Sequence, residues 1–454
     1  MCVYDDVHNR FVFLAADLVT ENATTGVGDY TKLLIAVSFT NNPANGFKSF
    51  DYLESYFFAD FPHIGIDKDN VFITYNNFTM PGDFIGAGIC GISLSNLVSA
   101  TDTAGTTTLG PEVCVYLWEI LPANRDCVSS VSPTRNVNSN DESSYTAQNG
   151  VHHFITVDCT PAQELDVITL TNTLSLDSGS PSMEAQWQTI DLGFEKVNPY
   201  DFDWYNKAGG AQSEPYTTDN GDGRSADAIF FNNTILGCFS TVMSSDGEDI
   251  VVIAYAWIPV QWENSKVTLA SFDSSKDAGV IGLSGSSLIF PIVTATEKGR
   301  VVLGFAIVGM IYYPTAAFIV FNHSVDTQAI YIAGAGLTAL QSNQQQPFRY
   351  GDYSSAYSTG EVVFLYSEYV EKNASEYYAG LKNNYVMFLT KLNLDDVTTD
   401  STSSNNDDDS KTTTIIISVV VVGFVVIVAA VIAGWWWSKK NSSDEGGKIT
   451  TNLV

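Results

Sequence analysis

Six arginines precede residue 395: Arg10, Arg125, Arg135, Arg224, Arg300 and Arg349. Converging arginines could bind the carboxylate of an acidic substrate. These arginines are scattered, so only a fold that gathers distant segments could make them converge. Other chemistries lack their patterns. There is no GxSxG, no HExxH and no Cys/His nucleophile arrangement. The adjacent His152 and His153 would point to opposite faces of a strand and cannot share one metal. Asp67, Asp69 and Asn70 offer oxygens for Ca²⁺, but the remaining EF-hand ligands are missing, and a turn is the expected role. Gly86-Ala87-Gly88-Ile89-Cys90-Gly91 fits GxGxxG in a β-rich setting, where tight packing near a sheet is expected rather than a dinucleotide. Trp118, Trp187, Trp204, Trp257 and Trp262 could stack on sugars, with core packing as the alternative. The sequence thus assigns no catalytic residue, no cofactor and no metal ligand.

The elements that would position such residues sit ahead of a second signal. Residues 415–437 read IIISVVVVGFVVIVAAVIAGWWW, uncharged and ending in three tryptophans, with Lys439 and Lys440 following at once. A helix of that length, at about 1.5 Å per residue, spans a hydrocarbon core of ~30 Å. The flanking lysines and the aromatic belt predict a single-pass type I span with the C-terminus in the cytoplasm. Residues 396–414 are almost all Ser, Thr, Asn and Asp, with hardly anything apolar, and read as a flexible stalk. Residues 438–454 make a short tail. Residues 1–395 then form the ectodomain, extracellular or luminal. The start MCVYDDVHNRFVFLAADL contains no secretory signal, so a signal and some of the fold are expected upstream.

The net charge is −30, from 51 acidic and 21 basic residues. That repels nucleic acid, which is not expected as a partner. Apolar residues at 45 % allow a substantial core. Five sequons, at Asn22, Asn77, Asn232, Asn322 and Asn373, are expected glycosylation acceptors, with Asn441 unmodified on the cytoplasmic side. Of the six cysteines, Cys114 and Cys127 are the closest in sequence and the first candidates for a disulfide.

Strand–turn–strand units begin near residues 4, 61, 151, 228, 290 and 352. In two of them the turn residue, Asn70 or Gly299, lies eight after a proline, Pro62 or Pro291. One short helical turn fits Ser93–Ala100. Repeating short strands at this spacing predict an all-β chain: a β-propeller of six or seven four-stranded blades, plus one C-terminal transmembrane helix.

Five stretches carry a resemblance. They are Tyr4-Asp5-Asp6 with Arg10-Phe11-Val12, Asp60-Phe61-Pro62-His63-Ile64-Gly65, Gly86–Cys90, Tyr312–Ala316, and Arg349-Tyr350-Gly351-Asp352-Tyr353-Ser354. The chain resembles uncharacterised, sialidase-like β-propeller surface proteins of bacteria and microbial eukaryotes. The resemblance implies a further blade and a signal upstream. It breaks near the end, where Tyr378-Ala379-Gly380 replaces a Trp-Gly-Thr-like strand. Asp60, Pro62, His63, Gly65, Arg349, Gly351 and Asp352 are read as structural. The expected function is a cell-surface glycoprotein whose propeller binds an extracellular protein or glycan. The alternative is a surface-anchored, sialidase-like glycan hydrolase. Convergent arginines and paired carboxylates in a central pocket would favour the enzyme.

Overall fold

The computed structural model describes most of residues 1–394. It leaves out 395–454 and several internal segments, the longest being 20–29, 138–149, 195–217, 338–347 and 371–384. The apolar run 415–437, the stalk and the tail therefore lie outside the described residues. Among the described residues, no helix is long and apolar enough to cross a membrane.

The described residues are almost entirely β and form six consecutive sheets of antiparallel neighbours. The first contains β1 (Cys2–Asp5), β2 (Arg10–Val19), β3 (Tyr30–Ser38) and β4 (Phe47–Ser55). The second contains β5 (Phe58–Ile66), β6 (Asn70–Phe78), β7 (Phe84–Ser93) and β8 (Val113–Tyr116). The third contains β9 (Ser132–Asn136), β10 (His152–Thr156), β11 (Glu164–Thr171) and β12 (Glu184–Asp191). A short strand, β13 (Thr218–Asp219), precedes the fourth sheet. That sheet holds β14 (Ala226–Phe231), β15 (Thr234–Ser245), β16 (Glu248–Glu263), β17 (Lys266–Leu269) and β18 (Ala278–Ile281). The fifth contains β19 (Ser286–Ala295), β20 (Val301–Gly309), β21 (Thr315–Phe321) and β22 (Tyr331–Gly334). After β23 (Phe348–Arg349), the sixth contains β24 (Ser355–Thr359), β25 (Val362–Val370) and β26 (Tyr385–Asn393). The first strands β9 and β14 also pair in parallel, which joins the third and fourth sheets.

Alternation explains how the sheets stack. Successive side chains on a strand face opposite ways. In β6, Val71, Ile73 and Tyr75 join a cluster with the first sheet, while Phe72 joins one with the third. In β14, Ala228 and Phe230 pack against the third sheet, and Ile229 packs against the fifth. Ile292, Val302 and Phe318 pack in turn against Val363 and Leu365 of the sixth. Strands buried on both faces read as continuous apolar runs, as β19 and β20 do. Sheets one and six meet through Tyr4 and Tyr357, whose ring centroids lie 6.4 Å apart. This is a propeller arrangement with the first strand of each sheet at the axis.

The prolines noticed in sequence mark bulges. The register of β5 against β6 shifts between Asp60 and His63, and that of β19 against β20 between Ile289 and Ile292. Phe61 and Phe290, each just before its proline, have φ of 49° and 53°. A proline cannot donate to the ladder, and β5 and β19 are edge strands of their sheets, where this is tolerated. The Asn232–Asn233 turn, with φ of 49° and 55°, joins β14 to β15 as a tight hairpin.

Three sequence expectations change. The third unit does not begin near residue 151: its first strand is β9, and residue 152 opens the second strand. The long stretch between them hid the link. The disulfide is Cys90–Cys114, not Cys114–Cys127. Cys90 and Cys114 face each other across β7 and β8 with Cα atoms 4.1 Å apart. Register, rather than sequence distance, decides the pairing, and Cys127 is itself disulfide-bonded elsewhere. The helical turn is longer than expected: α1 (Leu94–Asp102) is capped by Ser93, whose Oγ accepts from the Asn96 amide at 3.2 Å.

Gly65 lies where β5 crosses closest to β9. A Cβ there would stand 2.5 Å from the Pro133 Cβ and 2.9 Å from the Thr134 carbonyl oxygen. Both obstacles are stiff. Gly65→Ala is therefore expected to force the second and third sheets apart and to cost about 1–3 kcal/mol. Urea denaturation would measure this, and an unchanged midpoint would mean the sheets separate freely there.

Candidate functional site

The first strands of all six sheets converge on a cavity of about 400 Å³. Its wall includes Tyr4 of β1, Ile66 of β5, Arg135 and Asn136 of β9, Ile229 of β14, Thr294 of β19, and Ser355 to Ser358 of β24. A volume of this size is typical of ligand pockets. On one side, Tyr357 donates from its hydroxyl to Asp6 Oδ1 at 3.0 Å. Asp6 lies in the β1–β2 turn, so the pair spans the junction of the first and last sheets. Burial, and then the Asp6 carboxylate, push the Tyr357 phenol up from its ordinary value. At neutral pH it is a protonated donor. It remains 36 % exposed and open to solvent. Tyr4 stands beside it with its ring 4.8 Å from Phe11.

On the other side, Arg135 reaches across three sheets. Its guanidinium grips the Asp227 carboxylate of β14 with both Nη atoms, Nη2 at 2.7 Å. The same Nη2 donates to the Val293 carbonyl of β19 at 2.8 Å. The Val293 amide donates back to Asp227 Oδ2 at 2.8 Å. Beneath Arg135 lies a second cavity of about 40 Å³, lined by His63, Asp227, Phe61 and Phe290. Arg135, Cys2, Val3 and Ser355 border both. The Cys2 thiol is pushed up to about 12, first by burial, so it is held as a thiol rather than a thiolate nucleophile.

Among the described side chains the arginines do not cluster. Arg125 binds Asp166 through Nε and Nη2, each at 2.8 Å, and also Glu164. Arg300 grips Glu361 across the fifth and sixth sheets. Arg10 lies 3.5 Å from Asp102. Among the described residues only Arg135 reaches the axis. Arg224 lies outside the described residues. Arg349 is described only as backbone, pairing in β23 with Asp219. Gly351 and Asp352 lie outside the described residues.

His63 packs edge-on to Phe61 with centroids 4.5 Å apart, and its Nε2 is buried. Asp60 sits at the bulge beside Pro62. His152 and His153 do face opposite ways. His152 stacks on Phe72 at 4.1 Å and approaches Asp67 Oδ2 at 3.2 Å. His153 Nδ1 lies 2.9 Å from Thr169 Oγ1. Asp67 also accepts from the Asp69 and Asn70 amides at 2.9 and 2.8 Å, which makes the turn that the sequence suggested. The GxGxxG stretch is strand β7, where a Cβ on Gly88 would meet Tyr75 at 2.8 Å. Of the sequons, Asn232 is exposed in its turn. Asn77 is 2 % exposed within β6 and is not presented at the surface of this fold. Asn22, Asn322 and Asn373 lie outside the described residues.

Two histidines make the fold sensitive to acid. Burial pushes His63 down to about 4, against an upward pull from Asp227. Burial, then the adjacent His152, pushes His153 down to about 3. The unfolded chain titrates near 6.5, so it binds more protons than the fold below that pH. Their contribution is therefore whole above about pH 6.5 and is lost as pH falls toward 4 and 3. For His153 the loss by pH 4.5 is about 3 kcal/mol at most. Melting curves at pH 7 and 4.5 should show this fall, and His153→Asn should flatten it. An equal slope in the variant would assign the titration to other groups.

No protein-family model matches the chain, and no curated protein matches it. Among solved structures it is similar to the Trypanosoma rangeli sialidase in complex with difluorosialic acid, at 11 % identity and TM-score 0.39. That alignment covers 100 % of this chain and 57 % of the sialidase, so the chain spans little more than half of its length. It is also similar to the Cellvibrio cellulosa α-L-arabinanase complexed with arabinohexaose, at 9 % identity and TM-score 0.31, covering 72 % and 95 %. An ulvan lyase bound to its saccharide aligns at 10 % identity and TM-score 0.39, covering 80 % and 77 %.

Proposed function

We propose that the axial cavity is a glycan site and that the chain processes the glycan it holds. The observation that supports this is the Tyr357–Asp6 pair on the cavity wall. A neutral phenol attacks an anomeric carbon only if its proton leaves during the attack. Asp6, 3.0 Å from the hydroxyl, is placed to accept that proton. As the glycosidic bond breaks, the leaving oxygen takes that proton from Asp6 and departs as an alcohol. Water would then break the tyrosyl–sugar bond, its hydroxyl going to the sugar and its proton passing through Asp6 to the Tyr357 oxygen. Aromatic faces of Tyr4 and Phe11 offer stacking surface for a sugar ring, and the Asn136 amide offers hydrogen bonds.

A second reading is a propeller that binds a glycan without turning it over. It is favoured by Arg135 being held by Asp227 and Val293, which leaves its guanidinium committed within the wall. The chain's placement belongs to the same proposal: the apolar run 415–437 would anchor the ring at a plasma or endomembrane surface, with the C-terminus in the cytoplasm. The test is incubation of the full chain with a panel of aryl glycosides and neutral oligosaccharides. Release of aglycone or reducing sugar supports processing. Saturable binding with no release supports the second reading, and neither would remove the glycan site.

A further inference from the structure

We propose that the Arg135–Asp227 pair is the specificity-determining floor of the axial cavity, so that the cavity takes the end of a glycan chain rather than an internal stretch. This rests on the glycan reading above.

Three observations carry it. The axis holds two cavities, one of about 400 Å³ and one of about 40 Å³, with Arg135 bordering both. Arg135 is fixed there by Asp227 and Val293, on the first strands of the fourth and fifth sheets. Asp227 is held in turn by the Val293 amide, so neither partner can swing aside without breaking its bonds to the other strands. A planar guanidinium gripped by a carboxylate and a carbonyl is among the more rigid side-chain arrangements available. A ligand entering the larger cavity meets this bar and cannot pass through to the space beside His63. An open groove would let a polymer lie across the site, but a floored axial pocket admits only what terminates inside it. Tyr357 and Asp6 line the same larger cavity as Arg135, so a chain end held there lies within reach of them.

The probes are methyl glycosides of common neutral sugars, the matching linear oligosaccharides, and those oligosaccharides with both ends chemically capped by bulky groups. Ligand-observed NMR with the full chain reads binding. A methyl glycoside that binds should displace its own oligosaccharide completely, and the capped form should bind at least tenfold more weakly. Capped and uncapped oligosaccharides binding equally, with no competition by the methyl glycoside, would overturn the floor and leave the glycan site standing. If no probe binds in any form, the glycan reading itself fails and this inference with it.

Two double variants separate the floor from the charge. Arg135→Met with Asp227→Leu removes the ion pair but keeps bulk on the axis, and should retain the preference for chain ends. Arg135→Ala with Asp227→Ala removes the bulk and should bring capped and uncapped probes within about twofold. An unchanged preference in the alanine pair would assign selectivity to other residues.

Discussion

Arg135→Ala is expected to lower the stability of the fold by about 3 kcal/mol, a shift of more than a hundredfold in the unfolding equilibrium. The reason is what remains. Asp227 would keep its bond from the Val293 amide but would lose both guanidinium contacts. A carboxylate 12 % exposed at its side chain is then left poorly compensated at the meeting of three sheets. Asp227→Ala should cost a similar amount, because it strands the arginine. Removing both partners should cost much less than the sum of the single changes, since no uncompensated charge then stays behind. Urea denaturation of the four proteins gives the coupling energy directly. Additive costs would show that the two side chains act independently and that the three strands are held by something else.

Tyr357→Phe is expected to reduce turnover by about 10²–10⁴-fold on any glycoside that the chain processes. Phenylalanine keeps the ring but removes the oxygen that would attack and the proton that Asp6 would take. The hydroxyl is partly exposed, so the stability cost is that of one hydrogen bond, about 1 kcal/mol. Asp6→Asn should also slow turnover, since an amide cannot take the proton, while it can still accept a hydrogen bond from Tyr357. Binding of the substrate should survive in both. A variant Tyr357→Phe with full activity would move the chemistry elsewhere in the cavity.

Much of the frame was legible from the sequence. The strand–turn–strand units found six sheets, because β-rich runs and turn residues are local signals. The repeated prolines marked two bulged first strands for the same reason. The third sheet was misplaced because its first strand, β9, stands apart from its second across a long polar stretch rather than a tight turn. The site was not legible. Tyr357 and Asp6 are 351 residues apart, and Arg135 and Asp227 are 92 apart. Nothing local links such partners; only ring closure and the stacking of sheets do. A weaker clue did exist. Asp227 is a lone charge in an apolar strand, Ala226–Phe231, and a charge buried among Ala, Ile and Phe calls for a partner. Tyr4-Asp5-Asp6 stands out as a stretch, but nothing near it in sequence points to Tyr357 as the partner of Asp6. The disulfide shows the same limit, since Cys90 meets Cys114 through strand register that spacing alone does not encode.

The most direct test of the axial site is a crystal structure of the protein with a glycan found to bind it, solved together with the Tyr357→Phe variant to trap an unprocessed ligand. The ligand is predicted to lie in the cavity, with a ring beside Tyr4, a sugar carbon facing position 357 and Asp6, and its end against Arg135. A glycan seated on the outer strands of the sheets, with the axial cavity empty, would contradict the account.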